Sequence, residues 1–334
     1  MTTIDQQVEP PRAASIDEMP ILDLNDWLTG GPIEPLVEQF KAACTNTGFF
    51  YVKNHGIPQE VVDSVFEATR RYYSLPMDER MKDKIDERFR RGFMPYGVTQ
   101  HPGNKPDLKE SYELGLDLPL NDPDVMAGLP LHGPNRWPID KPWLKHAADT
   151  YFDHTRELGM RLLRIFAKAL GQTEEFFLQW CQKPMVQSRL FHYPPQSTPT
   201  TMELGAAAHT DYGMLTLLAQ DPIGGLELRT RSGEWVAAPW LEGTLVINLG
   251  DLVKVWTNET YVSNLHRVAN RTSRERFSIP TFFNLDYNTP VACLPQFQSV
   301  DKPAMHPPVK SGDYLVKRFS EVQKYKTPAQ LEAS

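Results

Sequence analysis

The alternation of apolar and polar positions changes period near residue 185. Upstream the spacing is helical: residues 36, 37, 40, 43 and 44 form an apolar stripe over 35–47, and Gly48 stands where that helix should end. Pro58 opens a second helix with Val61, Val62, Val65 and Phe66 on its inner side. A long amphipathic helix is predicted over 143–170, stopped by Gly171. Short strands are predicted at 20–24 and 49–52, and 92–140, rich in Gly and Pro, reads as extended and loop-rich. Downstream the period is two, in short runs at 186–193, 214–219, 226–229, 235–238, 245–249, 266–269 and 276–284. Each is bounded by Gly, Pro, Asn or Asp, the pattern of a sandwich or jelly roll rather than a parallel sheet.

The expected fold is mainly β with flanking helices: a double-stranded β-helix (jelly roll) core with an N-terminal α/β portion. Residues 1–18 are polar and should form a flexible arm, 19–140 an N-terminal segment, and 141–184 a helical support. The jelly roll itself should occupy 185–290, and a C-terminal extension with a helix 291–334. A chain of 334 residues can bury an interior dry site in one such unit.

Charge narrows the function classes. The net charge is −7, which argues against a nucleic-acid or anionic-membrane partner. Lys82, Lys84, Arg88, Arg90 and Arg91 alternate with Asp83, Asp86 and Glu87, so that stretch is expected to be a solvated helical face. No apolar run approaches the ~18 residues needed to cross a bilayer, and the N-terminus lacks the basic start and apolar core of a secretory signal. Cys44, Cys181 and Cys293 are far apart without a C-x-x-C, which suits a reducing, cytoplasmic location.

Among nine histidines, His209 has an acid two residues on, Asp211. On a strand, positions i and i+2 share a face, so one imidazole and one carboxylate can converge. His266, on a distant predicted strand, can supply a third ligand. Two histidines and one carboxylate leave open coordination positions, the ligand set of non-haem iron(II) oxygenases. Farther on, Arg276 and Ser278 again share a face, with Phe277 opposite. A guanidinium fork fits a carboxylate bidentately, and a buried unpaired Arg is costly, so this pair wants an anion. A dicarboxylic co-substrate could chelate the metal at one end and meet Arg276 at the other.

With these motifs in place, the chain resembles the isopenicillin N synthase-like family of iron(II)/2-oxoglutarate-dependent dioxygenases. The resemblance runs from Pro20 to about Phe319, through Pro20-Ile21-Leu22-Asp23-Leu24, the segment from Gly48 to Pro58, His209-Thr210-Asp211-Tyr212-Gly213, Gly250-Asp251, His266-Arg267-Val268 and Arg276-Phe277-Ser278. It implies that His209, Asp211 and His266 bind iron(II). It implies that Arg276 and Ser278 hold the distal carboxylate of 2-oxoglutarate, with dioxygen as the oxidant and succinate and carbon dioxide released. Tyr193 would contact the co-substrate through its hydroxyl. Phe191 stands where plant members carry Asn, so that contact is lost. Arg189 resembles an arginine of the ethylene-forming branch that touches the co-substrate, and Phe282, in phase with 276 and 278, would be an apolar wall. His55 is expected to be structural, His192 to point away from the site, and Asp251 to cap a turn.

Lys105 to Gly115, which includes Glu110 and Tyr112, resembles the matching segment of thymine 7-hydroxylases and bacterial or fungal relatives. By the same resemblance Glu110, Tyr112, Tyr212 and Arg318 would face a small polar substrate such as an amino acid or nucleobase. Glu110 and Arg318 read equally well as an ion pair closing the barrel mouth. A 2-oxoglutarate-independent oxidase of the isopenicillin N synthase type and ethylene-forming breakdown of 2-oxoglutarate remain open as alternatives, as does oligomeric state.

Overall fold

The computed structural model describes residues 7–100, 103–196, 198–200 and 203–322. The N-terminal portion runs β1 (Ile21–Asp23), α1 (Asn25–Leu28), α2 (Glu34–Asn46), β2 (Phe49–Lys53), α3 (Gln59–Tyr73), α4 (Met77–Met81), β3 (Gly92–Met94) and β4 (Glu110–Gly115). After α5 (Pro123–Met126) and α6 (Pro142–Ala169) come β5 (Gln187–Tyr193), β6 (Ala206–His209), β7 (Leu215–Gln220), β8 (Leu226–Arg229), β9 (Trp235–Ala238) and β10 (Thr244–Leu249). The chain continues with α7 (Asp251–Thr257), β11 (His266–Val268), β12 (Arg276–Phe283), β13 (Pro290–Val291), β14 (Val309–Lys310) and α8 (Ser311–Val322).

Two sheets face each other. The larger has the order β1-β2-β10-β7-β12-β5-β4-β3 and the smaller β6-β11-β8-β9; every pairing in them except β1–β2 is antiparallel. The period-two pattern is what builds the sandwich. On the larger sheet Phe50, Leu190, Leu217, Ile247 and Ile279 point one way, into a core shared with the apolar stripes of α2, α3 and α6. The alternate residues Tyr51, Phe191, Leu218 and Val246 point the other way, against Leu226, Leu228, Val236 and Val268 of the smaller sheet. Each such side chain, fully buried, contributes roughly 1.5–3 kcal/mol. The helices end where the sequence signals it. Gly48 and Gly171 adopt φ of +70°, and a Cβ on Gly48 would overlap the carbonyl oxygen of Val262.

Several expectations need correcting. Within 92–140 there are two strands, β3 and β4, and the short helix α5, not only loop. The charged stretch is no solvated helix. The helix stops at Met81, and Asp83, Arg90 and Arg91 are buried, with Asp83 taking Lys141 at 3.2 Å and the Tyr72 hydroxyl at 3.2 Å. Residues 7–18 are not a free arm. Ala13 bridges Ala237, Val8 is buried with Leu204 and Ala269, and Arg12 pairs with Glu18 and Glu234. Residues 1–6 and the last part of the C-terminal extension, 323–334, lie outside the described residues. His55 is structural as expected: its Nδ1 accepts the Ile57 amide at 3.2 Å.

Glu110 is the residue whose expected place fails most clearly. Its carboxylate is fully buried on the helix side of the larger sheet, where it pairs with Arg80 and with His192 Nδ1 at 2.7 Å. His192 is stacked between Tyr73 and Phe277 and, as expected, points away from the interior between the sheets. Burying that carboxylate is tolerable because the guanidinium and imidazole meet it.

Two predictions test this packing. Gly159→Ala in α6 improves helix propensity by about 1 kcal/mol, but its methyl would overlap the buried Phe283 ring. Overpacking costs typically about 1–3 kcal/mol, so the melting temperature should fall, as differential scanning calorimetry would read. Glu110→Gln leaves Arg80 buried without its counter-charge and should cost about 3–5 kcal/mol in denaturant unfolding. A loss within about 1 kcal/mol would mean that the pair is only a surface contact.

Candidate active site

The inner face of the larger sheet turns polar at one end of the barrel, where it meets β6 and β11. His209 closes β6, His266 opens β11, and the two are partners in the ladder. Asp211 does not share their strand: β6 ends two residues before it, so its carboxylate arrives from the turn that follows. The three ligand atoms still gather within 4.8 Å of one another. Asp211 Oδ1 lies 3.8 Å from His209 Nε2 and 3.7 Å from His266 Nε2, and the imidazole centroids are 4.3 Å apart.

The surroundings orient each ligand. His209 Nδ1 sits 2.7 Å from the Ala207 carbonyl and His266 Nδ1 3.1 Å from that of Asn264. A carbonyl only accepts, so each Nδ1 keeps the proton and each Nε2 keeps a lone pair. Asp211 Oδ2 accepts from Thr216 Oγ1 at 2.5 Å and Asn248 Nδ2 at 2.6 Å, which leaves Oδ1 toward the histidines. The Phe49 ring packs edge-on against His266 at 5.3 Å. Two neutral imidazole nitrogens and one carboxylate oxygen are a donor set suited to iron(II), and they leave coordination positions free.

Farther along the same face Arg276 has no exposed surface. Neutral acceptors engage it: the Gly224 carbonyl at Nε, Ser278 Oγ at 3.1 Å and Gln220 Oε1 at 3.4 Å. Its guanidinium lies over the Tyr193 ring at 4.6 Å. Among the described residues no carboxylate comes within ion-pair distance of it. A fully buried cation bonded only to neutral groups calls for an anion. Ser278, whose oxygen accepts from Arg276, has its own proton free to donate to the same anion.

Triad, Arg276, Ser278, Tyr193, Arg189 and Phe282 all line one cavity of about 960 Å³ including its open mouth. Tyr212, Leu315 and Phe319 close its other end, and burial raises the Tyr212 phenol to about 12, so it stays protonated. Arg189 lies over Phe282 at 5.1 Å, with Gln187 Oε1 at 3.1 Å and Glu113 Oε1 at 3.5 Å.

Three of the expected substrate residues are not brought together. Glu110 is behind the sheet, and Tyr112, on the same side, donates its hydroxyl to the Arg136 carbonyl in the helical core. Arg318 does not line the cavity. It lies over Tyr212 at 4.5 Å and pairs with Glu321 and Asp251, not with Glu110, which sits on the other side of the larger sheet. The acid of β4 that faces the interior is Glu113, paired in register with Arg189. The parity of β4 was the signal: once Glu110 faces the helices, 111 and 113 face the barrel. Lys109, which lines the cavity and pairs with Asp107 at 2.7 Å, was also missed.

Comparison with known proteins agrees with this geometry. Residues 19–140 match the family described as non-haem dioxygenase in morphine synthesis N-terminal, and 184–285 match the 2OG-Fe(II) oxygenase superfamily. The chain is 34% identical to a 2-oxoglutarate-Fe(II) type oxidoreductase of Emericella nidulans, covering 89% of this chain and 88% of that one. It is 35% identical to a homoarginine-6-hydroxylase of Glycine max over 84% and 90% of the two chains. Among solved structures, the full-length thymine 7-hydroxylase of Neurospora crassa in complex with alpha-KG superposes with a TM-score of 0.80 at 28% identity, covering 94% of this chain and 99% of that one. The same protein bound to alpha-KG and thymine gives 0.78 at 27% identity, over 92% and 99%. Fold and sequence are thus shared with these relatives over most of their length, and the chain belongs to the 2OG-Fe(II) oxygenase superfamily, as an iron(II)- and 2-oxoglutarate-dependent dioxygenase.

Proposed function

We propose that His209, Asp211 and His266 hold the iron(II), that Arg276 and Ser278 receive the distal carboxylate of 2-oxoglutarate, and that the enzyme oxidises, most simply hydroxylates, a small polar molecule. The observation that carries this is Arg276: fully buried, bonded to neutral acceptors alone, and on the same inner face as the triad. Bound there, iron(II) and 2-oxoglutarate with dioxygen supply the oxidising chemistry, with succinate and carbon dioxide as co-products.

The protein's own residues place and shield the reactants. The Ala207 and Asn264 carbonyls fix the imidazole tautomers, and Thr216 with Asn248 fixes the carboxylate. Tyr193 supports the Arg276 guanidinium through its ring face, while Phe282 and the Arg189 side chain wall the space beside it. Tyr212 and Phe319, ring centroids 5.8 Å apart, keep water from the substrate end. A small polar substrate, an amino acid or a nucleobase, is supported by the relatives that carry homoarginine hydroxylation in their name or thymine in their complex. Within it we read Tyr212 as a substrate contact and withdraw Glu110, Tyr112 and Arg318. The chain divides into a dioxygenase N-terminal segment 19–140, a helical support 141–184, the catalytic jelly roll 185–290 and a C-terminal extension. Three unbonded cysteines suit a reducing cytoplasm.

The test is direct. His209→Ala, Asp211→Ala and His266→Ala should each lose stoichiometric iron binding and succinate formation while circular dichroism stays as in the parent. Arg276→Gln should raise the KM for 2-oxoglutarate strongly, since one half of a buried charge-assisted pair is worth about 2–5 kcal/mol. Ser278→Ala should cost about 1 kcal/mol, near fivefold. An unchanged KM in Arg276→Gln would refute the assignment of that pocket to 2-oxoglutarate.

A further inference from the structure

The first residue of α7 gathers more donors than a turn cap needs. Asp251 is buried. Its Oδ2 accepts from Thr210 Oγ1 at 3.0 Å and from the Tyr314 hydroxyl at 3.3 Å, with the Arg318 guanidinium at 3.8 Å. Its Oδ1 accepts from Ser263 Oγ at 2.9 Å and faces Lys254 Nζ at 3.0 Å. Its amide donates to the Asp211 carbonyl at 2.7 Å. Apart from Lys254 on α7 itself, those donors belong to three separate pieces of chain. Thr210 lies between two of the triad residues. Ser263 lies on the approach to His266, just before the carbonyl of Asn264 that orients the imidazole. Tyr314 and Arg318 belong to α8.

Helix α8 is what closes the substrate end, through Leu315, Phe319 and Val322. Arg318 lies over Tyr212, the residue after Asp211, and Phe319 packs against the same ring. The Tyr314 phenol is raised above its usual range by burial and by the Asp251 charge, so it donates and does not compete as an anion. The backbone is built for close approach at the same spot: a Cβ on Gly250 would overlap the Gly213 carbonyl.

We propose that Asp251 is a positioning residue that ties the metal-binding loop to the C-terminal helix, so that one buried carboxylate both steadies the ligands and holds the cavity closed. The inference rests on the reading of His209, Asp211 and His266 as the metal site. Loss of its charge releases α8, because Tyr314 and Arg318 then have no anion at that point to meet. It also loosens Thr210 and Ser263, and with them the flanks of two ligands.

The experiment reads α8 and the metal separately. Hydrogen–deuterium exchange of 311–322 is measured in the metal-free protein, and iron(II) affinity by anaerobic titration. In Asp251→Asn, α8 should exchange faster by about tenfold or more, the size of losing a charge-assisted hydrogen bond, and iron(II) affinity should fall at least several-fold. In the double variant Tyr314→Phe/Arg318→Gln, exchange in α8 should rise by a similar factor while iron(II) affinity stays as in the parent. The double variant cuts only the helix side, so it still decides the matter if Asp251→Asn does not fold. Unchanged exchange over 311–322 in the double variant, or unchanged iron(II) affinity in a folded Asp251→Asn, overturns the proposal. A parent chain that bound no iron(II) would instead refute the metal site, and the exchange data would stand apart from it.

Discussion

Charge inside a dry sandwich is the constraint that organises this molecule. The interior between the sheets holds Arg276, Arg189, Glu113 and Asp211 within a shell of Leu, Val, Tyr and Phe, and each buried charge must be met or become very costly. Glu113 meets Arg189, and Asp211 has one oxygen bonded by Thr216 and Asn248. Two needs then remain: the inner oxygen of Asp211 beside two imidazole lone pairs, and the Arg276 fork. One wants a cation and the other an anion. On the assignment proposed above, a metal chelated by a dicarboxylate would answer both at once, which ties the chemistry closely to the fold.

Much of this was legible in the sequence, for a physical reason. Jelly-roll strands with one face toward helices and one toward the opposite sheet alternate cleanly, so the runs from β5 to β12, except the short alanine-rich β6, appear as period-two segments within a residue or two of their ends. His266, Arg276 and Ser278 fall on that alternation and could be assigned a face. Asp211 could not: it reaches the histidines from a turn beyond the end of β6, outside the strand alternation.

β4 shows where the pattern fails. Glu110-Ser111-Tyr112-Glu113 carries an acid on each face, and both acids are buried. Periodicity treats acids as solvent-facing, so the strand looks like loop. Only the partners make it a strand: Arg80 and His192 on one side, Arg189 on the other. The nearest of them along the chain, Arg80, is 30 residues from Glu110, and His192 is 82 away in the other direction. A one-dimensional pattern has no means to pair them. Buried Arg90 and Arg91 escaped for the same reason.

The two ends of the cavity are built differently, and the difference bears on how one scaffold serves many substrates. His209, His266, Arg276 and Ser278 are on paired strands, where ladder hydrogen bonds fix side-chain positions. The other end depends on Tyr212, in a turn, and on α8, a helix joined to the sandwich by side chains rather than by a ladder. Residues at that end can change shape and chemistry without disturbing the ladder. One end can therefore stay constant while the other varies, which fits relatives associated with different molecules, homoarginine in the name of one and thymine in the complex of another. The same separation explains why the triad and the arginine could be read from motifs whereas the substrate end could not. Motifs persist where a strand register holds them, whereas the apolar period of α8 marks a helix without saying which surface it docks on.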